Sequence, residues 1–256
     1  MEVPGCPVHF ILLLVVLGTV GSQLSKQVHE NGSEIDQFPA DCEDVFDLGG
    51  EVSGVYVIYP AGSHSAVPVY CDMTSDDEKW TVIQKRFNGT LSFFRGWVDY
   101  KSGFGRADGE YWFGLHNIYQ LTLRKKYELR VELGDFDNNK TYAKYADFSL
   151  SPKAINPEED GYTLYVEGFS DGGAGDALSY HNGMKFSTYD SDRDHFPQNC
   201  ASLLAGGFWY RGCHLANLNG PYLGGAHLSY GAGVIWTQWR GPYYSLKTTE
   251  MKIRRV

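Results

Sequence analysis

The stretch FSTYDSDRDHFPQNCA, residues 186–201, sets Asp190, Asp192 and Asp194 at alternate positions just ahead of Cys200. A loop offering oxygen at every second residue can wrap a hard divalent cation, which takes about six to eight oxygens from carboxylates, carbonyls and water. An EF-hand opening at Asp190 would need glycine at its sixth position and glutamate at its twelfth, where this chain has His195 and Ala201. No helical apolar period brackets the loop either. Taken alone, the triplet is equally compatible with a solvated acidic turn, so its surroundings decide.

Those surroundings are rich in aromatic residues and glycine: 18 Tyr, 14 Phe, 6 Trp and 30 Gly in 256 residues, with 43% hydrophobic residues. That is ample for a packed core, with many turns around a sheet in preference to long helices. A net charge of -9 argues against nucleic acid or an anionic membrane as the main partner. The apolar run Phe10 to Leu17, followed by small residues up to Ser22, reads as a secretory signal over residues 1–22, although no Lys or Arg precedes it. The run is too short to span a bilayer.

Removing that signal removes Cys6 and leaves Cys42, Cys71, Cys200 and Cys213, an even set suited to an oxidising compartment. Three connectivities are possible; Cys42 with Cys71 and Cys200 with Cys213 is the simplest, and each loop would then stabilise by roughly 3 to 3.5 kcal/mol. No CxxC or His pair has zinc spacing. Sequons at Asn31, Asn88 and Asn139 fit an exported glycoprotein.

Residues 23–38 form a polar arm with neither heptads nor a Gly-X-Y period. From Cys42 the texture is strand-like, with runs at Val55–Tyr59, Val67–Cys71 and Trp80–Gln84. Residues 109–122, GEYWFGLHNIYQLT, place Trp112, Leu115, Ile118 and Tyr119 at helical spacing and predict one amphipathic helix, with His116 on its exposed side. Tyr127, Leu129, Val131 and Leu133, and later Tyr162, Leu164 and Val166, alternate with polar neighbours and predict antiparallel strands with one wet face. Residues 168–241 lose all periodicity, which in an aromatic-rich stretch with two cysteines predicts ordered functional loops. A last strand is expected over 244–253.

The blocks VYCDM, WTVIQKRFNGTLSFFRGWVDYKSGFG, GEYWFGL, GDALSYHNGMKFSTYDSDRD, NCA, CHLANLNGPYLGG and SLKTTEMKIRR together resemble the fibrinogen C-terminal, or fibrinogen-related, domain. The likeness runs from about Asp41 to Val256, so the domain is placed at 39–256. It implies an α+β fold with an A subdomain, a B subdomain of antiparallel sheet plus helices, and a loop-rich P subdomain that binds Ca2+. Carried over, the calcium ligands are the side chains of Asp192 and Asp194 and the carbonyls of Phe196 and Gln198, with Asp190 a neighbour behind them. Lectin-like members hold acetyl groups beside that ion, which here implies a pocket of Trp209, Gly212, Cys213, His214, Tyr230 and Gly231 with a cis Gly212–Cys213 bond. Leu204 departs from the tyrosine of acetyl-binding relatives and from the aspartate of fibrinogen, which argues against a fibrin-type cationic knob.

Two function classes follow. One is a secreted extracellular-matrix protein, not an enzyme, whose partners are elastin, fibrillin or collagen. The other is a soluble immune lectin for acetylated glycans, which usually needs linked copies to hold a surface. A homo-oligomer is expected, with no spare cysteine in the mature arm to link it. There is no RGD tripeptide, only Arg106-Ala107-Asp108, and neither GxSxG nor HExxH speaks for a hydrolase.

Overall fold

The computed structural model describes residues 38–256; the signal-like run with Cys6, the polar arm up to residue 37 and Asn31 lie outside them. The first element is a helix where the texture predicts a strand. Asp41 accepts the N–H groups of Glu43 and Asp44 and so caps α1, Cys42–Asp47. The Cys42–Cys71 disulfide then ties α1 to a ladder of β1 (Gly54–Ile58), β2 (Val67–Asp72) and β3 (Trp80–Arg86).

Next come α2 (Trp97–Ser102), β4 (Phe104–Gly105), β5 (Tyr111–Trp112) and α3 (Leu115–Arg124). The helix expected over 109–122 therefore begins only at Leu115, and Trp112 sits in a strand opposite Gln84. Gly114 is the physical reason. Its φ of +103° is open to glycine, and a Cβ there would meet the backbone of Ser102 and Gly103 at 2.8 Å. The apolar spacing is real but divided between a strand and a helix; His116 is exposed, as expected.

β6 (Tyr127–Gly134) and β7 (Lys140–Leu150) form a hairpin, followed by α4 (Pro157–Asp160) and β8 (Leu164–Gly172). Past a long loop lie α5 (Cys200–Leu204), β9 (Ala216–Asn217), β10 (Gly225–Ala226), β11 (Ile235–Trp236), α6 (Thr237–Arg240), β12 (Tyr244–Ser245) and β13 (Thr248–Arg255). The single closing strand is thus two: β12 pairs with β10, and β13 enters the middle of the main antiparallel sheet, in the order β1-β2-β3-β13-β6-β7-β8. The fold is α+β.

The wet face expected of β6 is largely covered. Glu128 and Arg130 are buried, and Lys252 on β13 exposes none of its surface. Lys252 Nζ lies 2.8 Å from both Asp72 and Glu132 and 3.4 Å from Glu250; Arg130 pairs with Asp76 and Glu132, and Arg254 with Glu78 and Glu128. Trp80 lies beneath them, with Lys252 Nζ 5.9 Å from one of its ring centroids. Alternation of apolar and charged residues normally marks one solvated face, but here opposite charges on neighbouring strands neutralise one another under the 75–78 turn.

Residues 173–243 carry only short strands and short helices, α5 and α6 among them. Their order comes from an aromatic cluster shared with the sheet side, in which Tyr100, Trp112, Phe186 and Trp209 stand 5.0 to 6.1 Å apart by ring centroid.

Candidate metal and ligand site

Three side chains strap the carboxylate loop to its surroundings. Asp190 accepts the Trp97 N–H at 2.9 Å and the Thr188 hydroxyl at 2.6 Å. It thereby caps α2, whose own N-cap, Gly96, has no side chain to do so. A Cβ on Gly96 would fall 2.6 Å from the Asp190 carboxylate, so a side chain there would push this cap aside. Arg193 stacks 4.2 Å over the Trp97 ring and donates to the Glu158 carbonyl at 2.8 Å. Asn199 caps α5 through Ser202 N–H and donates to the carbonyls of Thr188 and Tyr189.

With its neighbours turned inward, the loop leaves Asp192 exposed and Asp194 half-buried beside it. Asp194 accepts Phe196 N–H at 2.8 Å and Cys200 N–H at 2.9 Å, and Asp192 accepts Asp194 N–H at 3.3 Å. Burial, and then the adjoining Asp192 carboxylate, raises Asp194 above its ordinary range. Two carboxylates held together with backbone donors behind them and no side-chain cation between them fit a divalent ion. Among the described residues no three His, Cys, Asp or Glu side chains converge, so such an ion would complete its shell with carbonyls and water.

The Cys200–Cys213 disulfide joins this loop to the candidate pocket. Gly212–Cys213 is cis, Arg211 N–H donates to the Cys213 carbonyl at 2.8 Å, and the Arg211 carbonyl accepts His195 N–H at 2.9 Å. His214 donates from Nε2 to the Gly231 carbonyl at 2.9 Å, while its buried Nδ1 has no partner. The Leu204 methyl lies on the same side of Gly231. Tyr230 is 74% exposed and meets Tyr243 edge-on at 5.6 Å, and Leu228 is 98% exposed beside them. Trp209 differs from its expected place. It is fully buried against Trp112 and Phe186 and donates Nε1–H to the Tyr162 carbonyl, so it backs the pocket without lining it.

Sequence reading missed His181, although it lies inside the quoted SYHNG block. Fully buried, it donates from Nδ1 to the Trp209 carbonyl at 2.7 Å and accepts the N–H groups of Leu215 and Ala216 at Nε2. One neutral ring thus braces both flanks of the Cys213 turn. Burial pulls His181 down to about 3 and His214 down to about 4. Because both folded values lie below the ordinary 6.5, the stability they contribute is present above pH 6.5 and is lost as pH falls through the folded values. NMR titration is expected to find both rings neutral at pH 5; two rings titrating near 6.5 would contradict this packing.

The family described as fibrinogen beta and gamma chains, C-terminal globular domain, matches residues 38–256. This chain belongs to the fibrinogen C-terminal family. It is 67% identical to Bos taurus microfibril-associated glycoprotein 4 over 220 residues, 86% of each chain. Against Mus musculus fibrinogen C domain-containing protein 1 it is 51% identical over 215 residues, covering 84% of this chain and 47% of that protein. Among solved structures, the fibrinogen-like globe domain of human ANGPTL2 superposes with a TM-score of 0.80 at 42% identity, over 85% of this chain and 99% of that one.

Within this fibrinogen C-terminal domain, a cavity of about 290 Å³ lies between Lys125, Phe148 and Tyr165, and one of about 280 Å³ beside Phe38, Asp44 and Leu48. Neither includes the carboxylate loop or His214. The candidate site is instead a ridge: paired carboxylates, a disulfide-held turn and a projecting apolar tip.

Proposed function

We propose that this protein is a secreted, calcium-binding, non-enzymatic glycoprotein of the extracellular matrix that recognises elastic-fibre and microfibril proteins such as elastin, fibrillin or collagen. Asp192 and Asp194 would hold the Ca2+, with the carbonyls of Phe196 and Gln198. The ion would supply the charge that lets two adjacent carboxylates stay ionised, and so stiffen a loop that has little core of its own. The observation that carries the reading is the ridge beside that loop. Leu228, Tyr230 and Tyr243 stand out to solvent, and rigid aromatic anchors at a protein surface suit another protein better than a small ligand. The 67%-identical bovine relative is a microfibril-associated glycoprotein, which agrees with it.

A second reading has one specific observation in its favour. With Nε2 committed to the Gly231 carbonyl, His214 Nδ1 is a buried acceptor without a donor, and an acetamido N–H is its complement. Acetylated glycans would then bind at Gly212, Cys213, His214, Tyr230 and Gly231. Competition separates the two: capture on immobilised tropoelastin that free N-acetylglucosamine leaves intact supports the matrix reading. Capture on the immobilised sugar, displaced by the free sugar and abolished by His214→Ala, would favour the lectin.

A further inference from the structure

Residues far apart in sequence meet in an exposed apolar patch on the side of the 87–90 loop and the β6–β7 turn. Tyr222 is its centre. Gly89 packs so closely on the Tyr222 ring that a Cβ would lie 2.6 Å from it, and the Tyr222 hydroxyl reaches the Lys247 carbonyl at 2.9 Å and the Phe87 carbonyl at 3.2 Å. Phe136, in the β6–β7 turn, meets Tyr222 edge-on at 6.2 Å, and Lys247 Nζ bonds Asn138 in the same turn. Phe87, Phe136 and Leu223 are 38%, 39% and 44% exposed. Half-exposed apolar side chains gathered around one ring are the kind of surface that something ordinarily covers.

Both sequon asparagines among the described residues border this patch. Asn88 sits between Phe87 and Gly89 and is exposed. Its Oδ1 accepts the Thr90 N–H and hydroxyl, and its Nδ2 is uncommitted. Asn139 closes the turn that holds Phe136. Its Nδ2 gives one hydrogen to Asp135 at 2.9 Å and keeps the other free for a sugar. Neither asparagine need break a bond of the fold to carry a glycan.

We infer that the N-glycans of Asn88 and Asn139 lie over the Phe87, Phe136, Tyr222 and Leu223 patch and close this face of the domain, leaving the ridge at Tyr230 as the face open to partners. The C–H faces of N-acetylglucosamine are the natural cover for aromatic rings, whose faces are electron-rich, and their hydroxyls restore a wet exterior. The β10–β12 ribbon sets the two faces apart. Leu223 binds Ser245 at one end, while His227 and Gly231 bind the carbonyls of Tyr243 and Pro242 at the other. The inference rests on the reading of the chain as a glycoprotein.

The test uses the full-length protein, secreted from a glycosylating host and carrying Asn31→Gln so that only two glycans remain. Peptide mapping establishes occupancy, and glycans are then released enzymatically from the folded protein. The expected result is a severalfold rise in the fluorescence of an apolar-surface dye and a shift to faster-sedimenting species, with an unchanged circular dichroism spectrum. The same treatment of a Phe136→Ser, Leu223→Ser variant should give no such rise. Unmodified Asn88 and Asn139 would overturn the inference, as would occupied sites whose removal leaves dye binding and sedimentation unchanged. Capture on tropoelastin should survive glycan release, so failure here and failure of the matrix reading are told apart.

Discussion

Wild-type protein is expected to melt at a higher temperature in calcium than in chelator, and Asp192→Ala with Asp194→Ala should erase that difference. An ion that binds only the folded state stabilises it by about 2.7 kcal/mol when its concentration is about 100 times its dissociation constant. Here the gain has an identifiable origin. Asp194 is raised by burial and by the neighbouring Asp192, so a divalent cation would remove a repulsion that the empty fold must carry. The double variant also loses the bonds from Asp194 to Phe196 and Cys200, which costs stability in either buffer. Asp192→Ala alone keeps both of those bonds and gives up only the 3.3 Å bond from the Asp194 N–H, so it reports mainly on the ion. Equal calcium-induced shifts in wild type and double variant would overturn the assignment.

The largest loss of stability is expected from Lys252→Met. That ammonium is fully buried among Asp72, Glu132 and Glu250, and removing one member of a buried charge cluster strands the others at about 3 to 5 kcal/mol. Burial would lower Lys252, but Glu250, Asp72 and Glu132 outweigh it and raise it above the ordinary 10.5. Burial likewise pushes Asp72 up, yet the bonds from Lys252 and Ser75 hold it well below the ordinary 3.8. Burial raises Glu250, whose ionisation the fold opposes, while the contribution of the Lys252–Asp72 pair is fully present between those two ordinary values. It is lost in acid as pH falls through the lowered Asp72 and in base as pH rises through the raised Lys252. Urea denaturation at neutral pH should show the fall in midpoint for Lys252→Met, with most of it restored in Lys252→Arg. A Met variant as stable as wild type would mean that the cluster is solvated.

The same cluster marks what the sequence could not disclose. Alternation along β6 located the strand correctly, but period two says only that the faces differ, not that a turn from residue 75 onward will cover the charged one. The helix start was misjudged for a related reason. Apolar spacing through Trp112, Leu115 and Tyr119 is the same whether or not Gly114 breaks the backbone between them, and only the close approach of Ser102 shows that it does. Both disulfides, in contrast, join the cysteines nearest in sequence, as the simplest pairing had it. Around the candidate site, the Asp190, Asp192 and Asp194 spacing exposed the loop, but not the division of labour in which Asp190 caps α2, Asp194 holds the N–H groups of Phe196 and Cys200, and Asp192 stays exposed. His181 and the burial of Trp209 were invisible for the same reason: each depends on partners more than 25 residues away, His181 with Trp209 and Trp209 with Tyr162.

The proposed function stands or falls on whether a calcium-ordered loop presents an apolar ridge to elastic-fibre proteins. Its most direct test is surface capture of the purified protein on immobilised tropoelastin and fibrillin, with calcium titrated in and then chelated, for wild type and for a Leu228→Ser, Tyr230→Ser variant. Capture should rise with calcium, be lost in chelator and be sharply weakened in the variant, whose melting temperature should be unchanged. Capture indifferent to both calcium and the two ridge substitutions would contradict it.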